Sequence, residues 1–281
     1  MKYKEYHAPA SLSEAQNLLR CAGEAGIVIA GATSHPFLGG KDPRIAVDLH
    51  RAGLAGICPD QQAFVIGAMT TVAALETFRA RGWVLDRVAR RFVSQQIRNQ
   101  STLGGNLVRV FPWSDFPVAL IALEASFVIA GESARSLNTD DYFATQPAKH
   151  FAIGDVLKCI HVPILREGQG FGYQKITRVQ ADFSQMTVAV RLTVAKHQVT
   201  DARVVVGAGL PMPTRLSHIE EAVIGKPATE RQLRSAAENP LGEKRPRTVA
   251  GMSPEYVQQL ARVAVGDALM EAAAEAQGAA S

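Results

Sequence analysis

The chain has 281 residues, 47% of them hydrophobic and 20% charged, and a formal net charge of +4. This balance fits a soluble globular protein of one large or two ordinary domains, with cores that need no staples. The densest basic cluster, Lys244-Arg245-Pro246-Arg247, is too short for the sustained stripe that nucleic acid requires and reads as a solvated linker.

Ser11 and Glu14 form a capping box ahead of Leu12, Ala15, Leu18 and Leu19, which predicts a helix ending near Gly23. Ile27 to Ala30 is a short apolar strand that runs into Gly31-Ala32-Thr33-Ser34. Further strands are predicted at 45–49 and 64–68, and Thr70 or Thr71 caps a helix through Leu75 and Phe78. A helix over 84–93 leads to a glycine loop at 102–106, and an irregular segment continues through Pro112 to Pro117. Residues 118–123 read as helix and 126–130 as strand, 131–148 as loop, and 155–163 as a strand ended by proline. This alternation indicates an α/β or α+β domain.

The composition changes at 165–170, the predicted boundary between domains 1–165 and 170–281. Beyond it, 172–175, 186–193 and 203–206 read as the strands of a meander. Helices follow near 216–223, after Thr229 with Gln232 completing a capping box, and from Ser253-Pro254 with Val257, Leu260, Val263 and Leu269 as the core stripe.

The three cysteines, Cys21, Cys58 and Cys159, are dispersed and form no C-x-x-C pair. The seven histidines make no metal-ligand pattern. The N-terminus lacks the apolar core of a signal peptide, and no stretch approaches a membrane span, so a cytoplasmic protein is expected. Neither G-x-G-x-x-G nor a P-loop is present, nor G-x-S-x-G, nor H-E-x-x-H. What remains is two glycine-containing stretches, Ala30-Gly31-Ala32-Thr33-Ser34 and Thr102-Leu103-Gly104-Gly105-Asn106. Glycine turns after strands expose backbone N–H groups and admit close approach, which suits a phosphate. Each stretch alone is equally readable as a tight turn.

Taken together and in order, these stretches resemble a known family. They are Ala30-Gly31-Ala32-Thr33-Ser34, Ile97-Arg98-Asn99, Thr102-Leu103-Gly104-Gly105-Asn106, Ser114-Asp115, Tyr173-Gln174-Lys175 with Asp182, and Pro213-Thr214-Arg215. The chain is similar to the FAD-binding medium subunit of molybdenum hydroxylases, of the xanthine dehydrogenase, aldehyde oxidoreductase and aerobic carbon monoxide dehydrogenase type. The resemblance implies an α+β fold: a two-part FAD-binding domain of the vanillyl-alcohol oxidase type, then a smaller domain with a three-stranded antiparallel sheet and helices. It places Gly31, Ala32, Thr33 and Ser34 on one side of the FAD pyrophosphate and Thr102, Gly104, Gly105 and Asn106 on the other, with Ala30 also a cofactor contact and His35 near the flavin. It puts Ser114 and Asp115 at the adenosine end, Leu157 by the flavin ring, and Lys175 by the ring or phosphates. Asp182 falls near the electron-accepting edge, and Phe92 matches an aromatic that some members carry beside the ring.

The implied partners are a small [2Fe–2S] subunit and a large molybdopterin subunit, with NAD⁺ as one acceptor and no catalytic or metal-binding residue in this chain. The first loop usually reads A-G-G, whereas here Ala32 follows Gly31. Phe111-Pro112-Trp113 also stands where small residues are usual. A stand-alone flavin oxidase and a flavin-less scaffold are the alternatives.

Overall fold

A computed structural model describes residues 3–34, 44–247 and 251–278. His35 lies outside the described residues. The chain divides into two compact units, each built from three segments. One comprises Met1–Phe78, Ser94–Val110 and Glu124–Pro163; the other comprises Arg79–Val93, Phe111–Leu123 and Ile164–Ser281. Residues 79–93 and 111–123 group with the C-terminal half in this division. Elements are numbered in chain order.

Among its described residues the first unit holds two sheets. β1 (Tyr3–His7), β2 (Gly26–Ile29) and β3 (Arg44–Asp48) form a parallel sheet with β3 central. Helix α1 (Leu12–Ala22) begins where the Ser11 hydroxyl accepts from the Glu14 N–H. The Glu14 carboxylate returns to the N–H of Ala10 rather than Ser11, so the box closes one residue early. Ala15 and Leu19 bury against Val47 and Leu49. The second sheet is antiparallel, in the order β4 (Ile57–Pro59), β5 (Ala63–Gly67), β8 (Val156–Pro163), β6 (Ser126–Ala130), β7 (Arg135–Asn138).

Residues 131–148 are not loop, as the sequence suggested. β7 closes a hairpin with β6, and Asn138 caps α7 (Thr139–Phe143) by accepting from the Asp141 N–H. Both elements are too short to carry a readable period. Three short helices complete the unit: α2 (Val72–Thr77), capped by Thr71, α4 (Gln95–Gln100), capped by Ser94, and α5 (Leu103–Val108), capped by Thr102.

The second unit is built on one antiparallel sheet of four strands, not three, ordered β12 (Thr214–Arg215), β11 (Gln198–Gly207), β10 (Met186–Ala195), β9 (Gln169–Ile176). The added strand is two residues long. It is fixed by the buried Glu220, which accepts from the Val204 N–H and the Arg215 guanidinium. Alternate residues of β9 face opposite ways. On one face Gly170 and Gly172 admit α10 (Pro254–Ala276) into direct main-chain contact. A Cβ on either glycine would lie 2.0 Å from the carbonyl oxygen of Ala272 or Ala268. On the other face lies α6 (Asp115–Ala122), all eight of whose residues are buried. Helices α3 (Leu85–Arg90), α8 (Ser217–Val223) and α9 (Glu230–Ala236) complete the unit.

Thr229 makes no side-chain cap bond, so the expected capping box with Gln232 does not form. Along α10 the core face is Val257, Ala261, Ala264, Val265, Ala268 and Leu269, while the expected Val263 is 44% exposed. The small residues of that face allow the close approach to β9 that the larger stripe would block.

The outer edge of β9 has no strand partner among the described residues, and side chains satisfy the main chain of Phe171 and Tyr173 there. Phe171 and Tyr173 donate their N–H groups to Glu275 and Glu271 of α10, at 2.9 and 3.0 Å. Their carbonyls accept from Arg87 of α3 and from Arg91, at 2.7 and 3.3 Å. Arg87 also forms an ion pair with Glu275 at 2.6 Å. Among the described residues no helix is long and apolar enough to cross a membrane.

Gly172→Ala drives a methyl into the α10 backbone. It is expected to lower unfolding free energy by about 3 kcal/mol, the upper range for overpacking, as read from the urea midpoint.

Candidate functional site

In the first unit the two glycine stretches converge. Strand β2 delivers Gly31 against the end of α4, where a Cβ on Gly31 would lie 1.9 Å from the Gln100 carbonyl oxygen and 3.0 Å from the Ser101 Cα. The Thr33 and Ser101 hydroxyls are hydrogen-bonded to each other at 3.0 Å. The Ser101 carbonyl accepts from the Val72 N–H, which ties the junction to the start of α2. Gly31 has ordinary negative φ, so its glycine requirement is one of space. The strained position is the next one: Ala32 has φ +54°, a left-handed conformation that disfavours any side chain.

The second stretch is a helix start, not a loop. Thr102 accepts from the Gly105 N–H at 3.1 Å, and α5 begins at Leu103. Gly104 and Gly105 have no positive φ. Gly104 is needed because its Cβ would lie 2.7 Å from the Ala68 carbonyl oxygen, which accepts the Gly104 N–H at 2.8 Å. The N–H groups of Leu103, Gly105 and Asn106 are likewise occupied, by the Thr70 carbonyl, the Thr102 hydroxyl and the Thr102 carbonyl. The N–H groups of residues 103–106 are therefore all donated within the chain, in place of the free donors expected there. The exception is the side chain of Asn106, whose Oδ1 is buried with no hydrogen-bond partner among the described residues.

The donors lie on the first wall. No hydrogen bond within the described residues is donated by the N–H of Gly31, Ala32, Thr33 or Ser34. Ser101 joins the site although sequence reasoning passed over it; its position directly before the Thr102 cap was the available signal.

In the second unit, Asp115, Lys175, Tyr173 and Thr187 form a buried cluster. Asp115 opens α6, and Lys175 and Thr187 pair across β9 and β10 with Tyr173 on the same face. Asp115 Oδ2 accepts from Lys175 Nζ at 2.8 Å, and Oδ1 accepts from the Tyr173 and Thr187 hydroxyls at 3.0 and 3.4 Å. Both ion-pair side chains are 3% exposed. Burial, then the Asp115 charge, pushes the Tyr173 phenol well above its ordinary range, which keeps it a donor.

Residues 1–165 match the family model described as the FAD binding domain in molybdopterin dehydrogenase, and residues 171–272 match the CO dehydrogenase flavoprotein C-terminal domain. The chain belongs to the FAD-binding medium subunits of the molybdenum hydroxylases. It is 33% identical over 201 residues to the carbon monoxide dehydrogenase medium chain of Afipia carboxidovorans, covering 68% of this chain and 69% of that one. It is 25% identical over 240 residues to the nicotine 6-hydroxylase medium subunit of Paenarthrobacter nicotinovorans, covering 83% and 84%. A solved structure of carbon monoxide dehydrogenase from Hydrogenophaga pseudoflava superposes with a TM-score of 0.89 at 29% identity, covering 97% of each chain. This medium subunit is thus an FAD-dependent oxidoreductase subunit.

The remaining positions matched to the family are spread over the medium subunit. Ser114 is buried and closes a turn with Phe111, whose N–H its hydroxyl accepts at 3.0 Å. Leu157 is buried in β8 beside a bulge, and the Lys158 carbonyl there accepts from the Ala68 N–H. Asp182 pairs with Arg178 at 3.2 Å in the turn between β9 and β10. Phe92 packs on Phe116, with Lys175 Nζ 6.0 Å from its ring centre. Arg98 pairs with Glu76 at 2.8 Å, and Asn99 with Gln95, which gives both a role in helix geometry. The unusual aromatics before Ser114 are accounted for by stacking: Phe111 lies on Trp113 at 5.1 Å and 7°, and Trp113 meets Phe183 and Arg247.

Ala32→Gly is expected to raise stability by about 1 kcal/mol, the cost of a left-handed alanine, as measured by the shift in denaturant midpoint. Tyr142 stacks on Phe127 and donates to the Leu107 carbonyl of α5, and burial raises its pKa. Its stabilisation is full below the unfolded-chain pKa near 10 and is lost as pH rises above it, since only the unfolded phenol ionises there. Tyr142→Phe should cost about 1 kcal/mol at pH 7 and make the decline of stability above pH 10 shallower, as followed by urea titrations across pH.

Proposed function

We propose that this medium subunit is the FAD-carrying link of a molybdenum-cofactor hydroxylase. It takes electrons from the [2Fe–2S] clusters of a small subunit and passes them to an external acceptor such as NAD⁺. Substrate hydroxylation takes place in a large molybdopterin subunit. In this reading residues 1–165 are an FAD domain of the vanillyl-alcohol oxidase type, residues 170–281 are the C-terminal domain, and the assembly is cytoplasmic. The observation that carries it is the Gly31 contact with Gln100 and Ser101. The space a side chain would fill is left to main chain, with N–H groups undonated among the described residues on one side and the Asn106 Oδ1, without a partner among them, on the other.

The residues fit an FAD pyrophosphate. The N–H groups of Gly31, Ala32, Thr33 and Ser34, and one hydroxyl of the Thr33–Ser101 pair, are donors toward an anion. Asn106 supplies an amide whose two ends are interchangeable in placement, so it either accepts from a ribityl hydroxyl or donates to a phosphate oxygen. Gly104 and Thr102 hold α5 in place, while Gly105 leaves room beside Ala30. Ser114 and Asp115 serve the adenosine end, Lys175 the flavin ring or the phosphates, Leu157 the ring, and Asp182 the electron-accepting edge. The isoalloxazine ring supplies the redox chemistry when bound, and this chain supplies binding, orientation and exclusion of water.

The full chain titrated with FAD is expected to acquire the visible bands of bound oxidised flavin. Asn106→Ala should bind FAD about tenfold more weakly, the worth of one hydrogen bond, as read from flavin fluorescence. A chain that takes up no flavin at saturating FAD would overturn the proposal. So would a purified chain that oxidises a substrate alone, without molybdenum or iron.

A further inference from the structure

Ser101 is anchored at both ends of its main chain. Its N–H donates to the Ile97 carbonyl at 2.8 Å, and its carbonyl accepts from the Val72 N–H at 2.9 Å. Gly31 passes so close that a Cβ there would lie 3.0 Å from the Ser101 Cα. That passage brings Thr33, two residues on, to within 3.0 Å of the Ser101 hydroxyl. Ser101 is buried and Thr33 half-buried, and among the described residues each hydroxyl has the other as its hydrogen-bond partner.

Each hydroxyl carries one proton, and the bond between them uses one of the two. The pair therefore has two directions. If Thr33 donates to Ser101, the Thr33 oxygen turns only lone pairs outward, and the spare proton belongs to the buried serine. If Ser101 donates to Thr33, the spare proton is on Thr33. It then lies in the same short stretch as the N–H groups of Gly31, Ala32, Thr33 and Ser34, none of which is donated within the described residues. An anion drawn to those N–H groups disfavours the first arrangement and completes the second.

We infer that Ser101 is a positioning residue: its hydroxyl donates to Thr33 and so commits the Thr33 proton to the cofactor pyrophosphate. This rests on the FAD reading above and gives it a direction, from serine to threonine to phosphate, in which Ser101 acts through Thr33. A hydroxyl that accepts one hydrogen bond donates a stronger one, and a bond to a charged acceptor is worth more than one to a neutral group. The main-chain anchors of Ser101 hold the serine in place beneath Thr33, so the order of the two links is set by the fold.

The test uses the full chain, with FAD affinity read from flavin fluorescence and thermal unfolding of the flavin-free protein as the control for folding. Thr33→Val is expected to weaken FAD about tenfold and Ser101→Ala about threefold. Ser101→Ala added to Thr33→Val should cost nothing further, because the relay is already cut. Thr33→Ser keeps the hydroxyl and should keep the parent affinity together with its response to Ser101→Ala. As competitors of FAD, inorganic pyrophosphate should lose the same factors in each variant, whereas riboflavin, which has no phosphate, should lose none. Additive losses in the double variant would overturn the inference. So would a larger loss for Ser101→Ala than for Thr33→Val, which would put the spare proton on the serine. Equal weakening of riboflavin and pyrophosphate would mark a merely structural role and overturn it too. If Ser101→Ala does not fold, Ser101→Cys, whose thiol is a weaker donor, replaces it in the cycle. A parent chain that takes up no FAD removes the underlying reading. A parent that binds FAD beside variants that bind it equally removes this inference alone.

Discussion

The absence of a side chain at Gly31 is the constraint on which the first unit's site depends. Main chain from β2 presses onto main chain at the end of α4, at a distance where a Cβ would overlap the Gln100 carbonyl. From that contact follow the pairing of Thr33 with Ser101, the tie from Ser101 to α2, and the start of α5 one residue later. Gly104 repeats the device on the far side of α5, against Ala68. The Ala68 peptide in turn receives Gly104 with its carbonyl and gives its N–H to the bulged Lys158 of β8. Two glycines thus fix a helix by what they lack, and the strain next to them falls on Ala32.

The second unit uses the opposite device. Its polar cluster is an excess of groups, gathered from α6, β9 and β10 around one carboxylate. A buried ion pair of this kind contributes little net stability after desolvation, and removing one member is far more damaging than never having had the pair. Tyr173, Thr187 and Asp115 satisfy each other, which makes the cluster rigid. The sheet beneath it is held by apolar contact of α10, whose alanines let helix and strand backbones touch.

The longer elements were legible in the sequence because their periods are strong: α1 with its Ser11 cap, β8 with its closing proline, β10, and α10 from Ser253-Pro254. The order of the family motifs was legible too. The conformation of the second glycine stretch was not. Two consecutive glycines lower helix propensity by about 1 kcal/mol each relative to alanine, so Leu103-Gly104-Gly105-Asn106 reads as loop until the tertiary bonds to Ala68 and Thr70 are seen. Nor can a sequence report which N–H groups are already taken, and that accounting moved the donors from the second wall to the first. The cluster at Asp115 joins residues 58 to 72 positions apart, so its hydrogen bonds lie beyond any local pattern. The short β7, α7 and β12 fell below the length at which a period exists.

The free rim of β9 is, chemically, already a completed ladder. Carboxylates from α10 stand where a neighbouring strand's carbonyls would be, and guanidinium groups of Arg87 and Arg91 stand where its amides would be. This surrogate strand belongs to the same chain, so the sheet cannot be lengthened there by docking an extended segment of another polypeptide. Recognition along that rim has to read charge and shape instead of backbone.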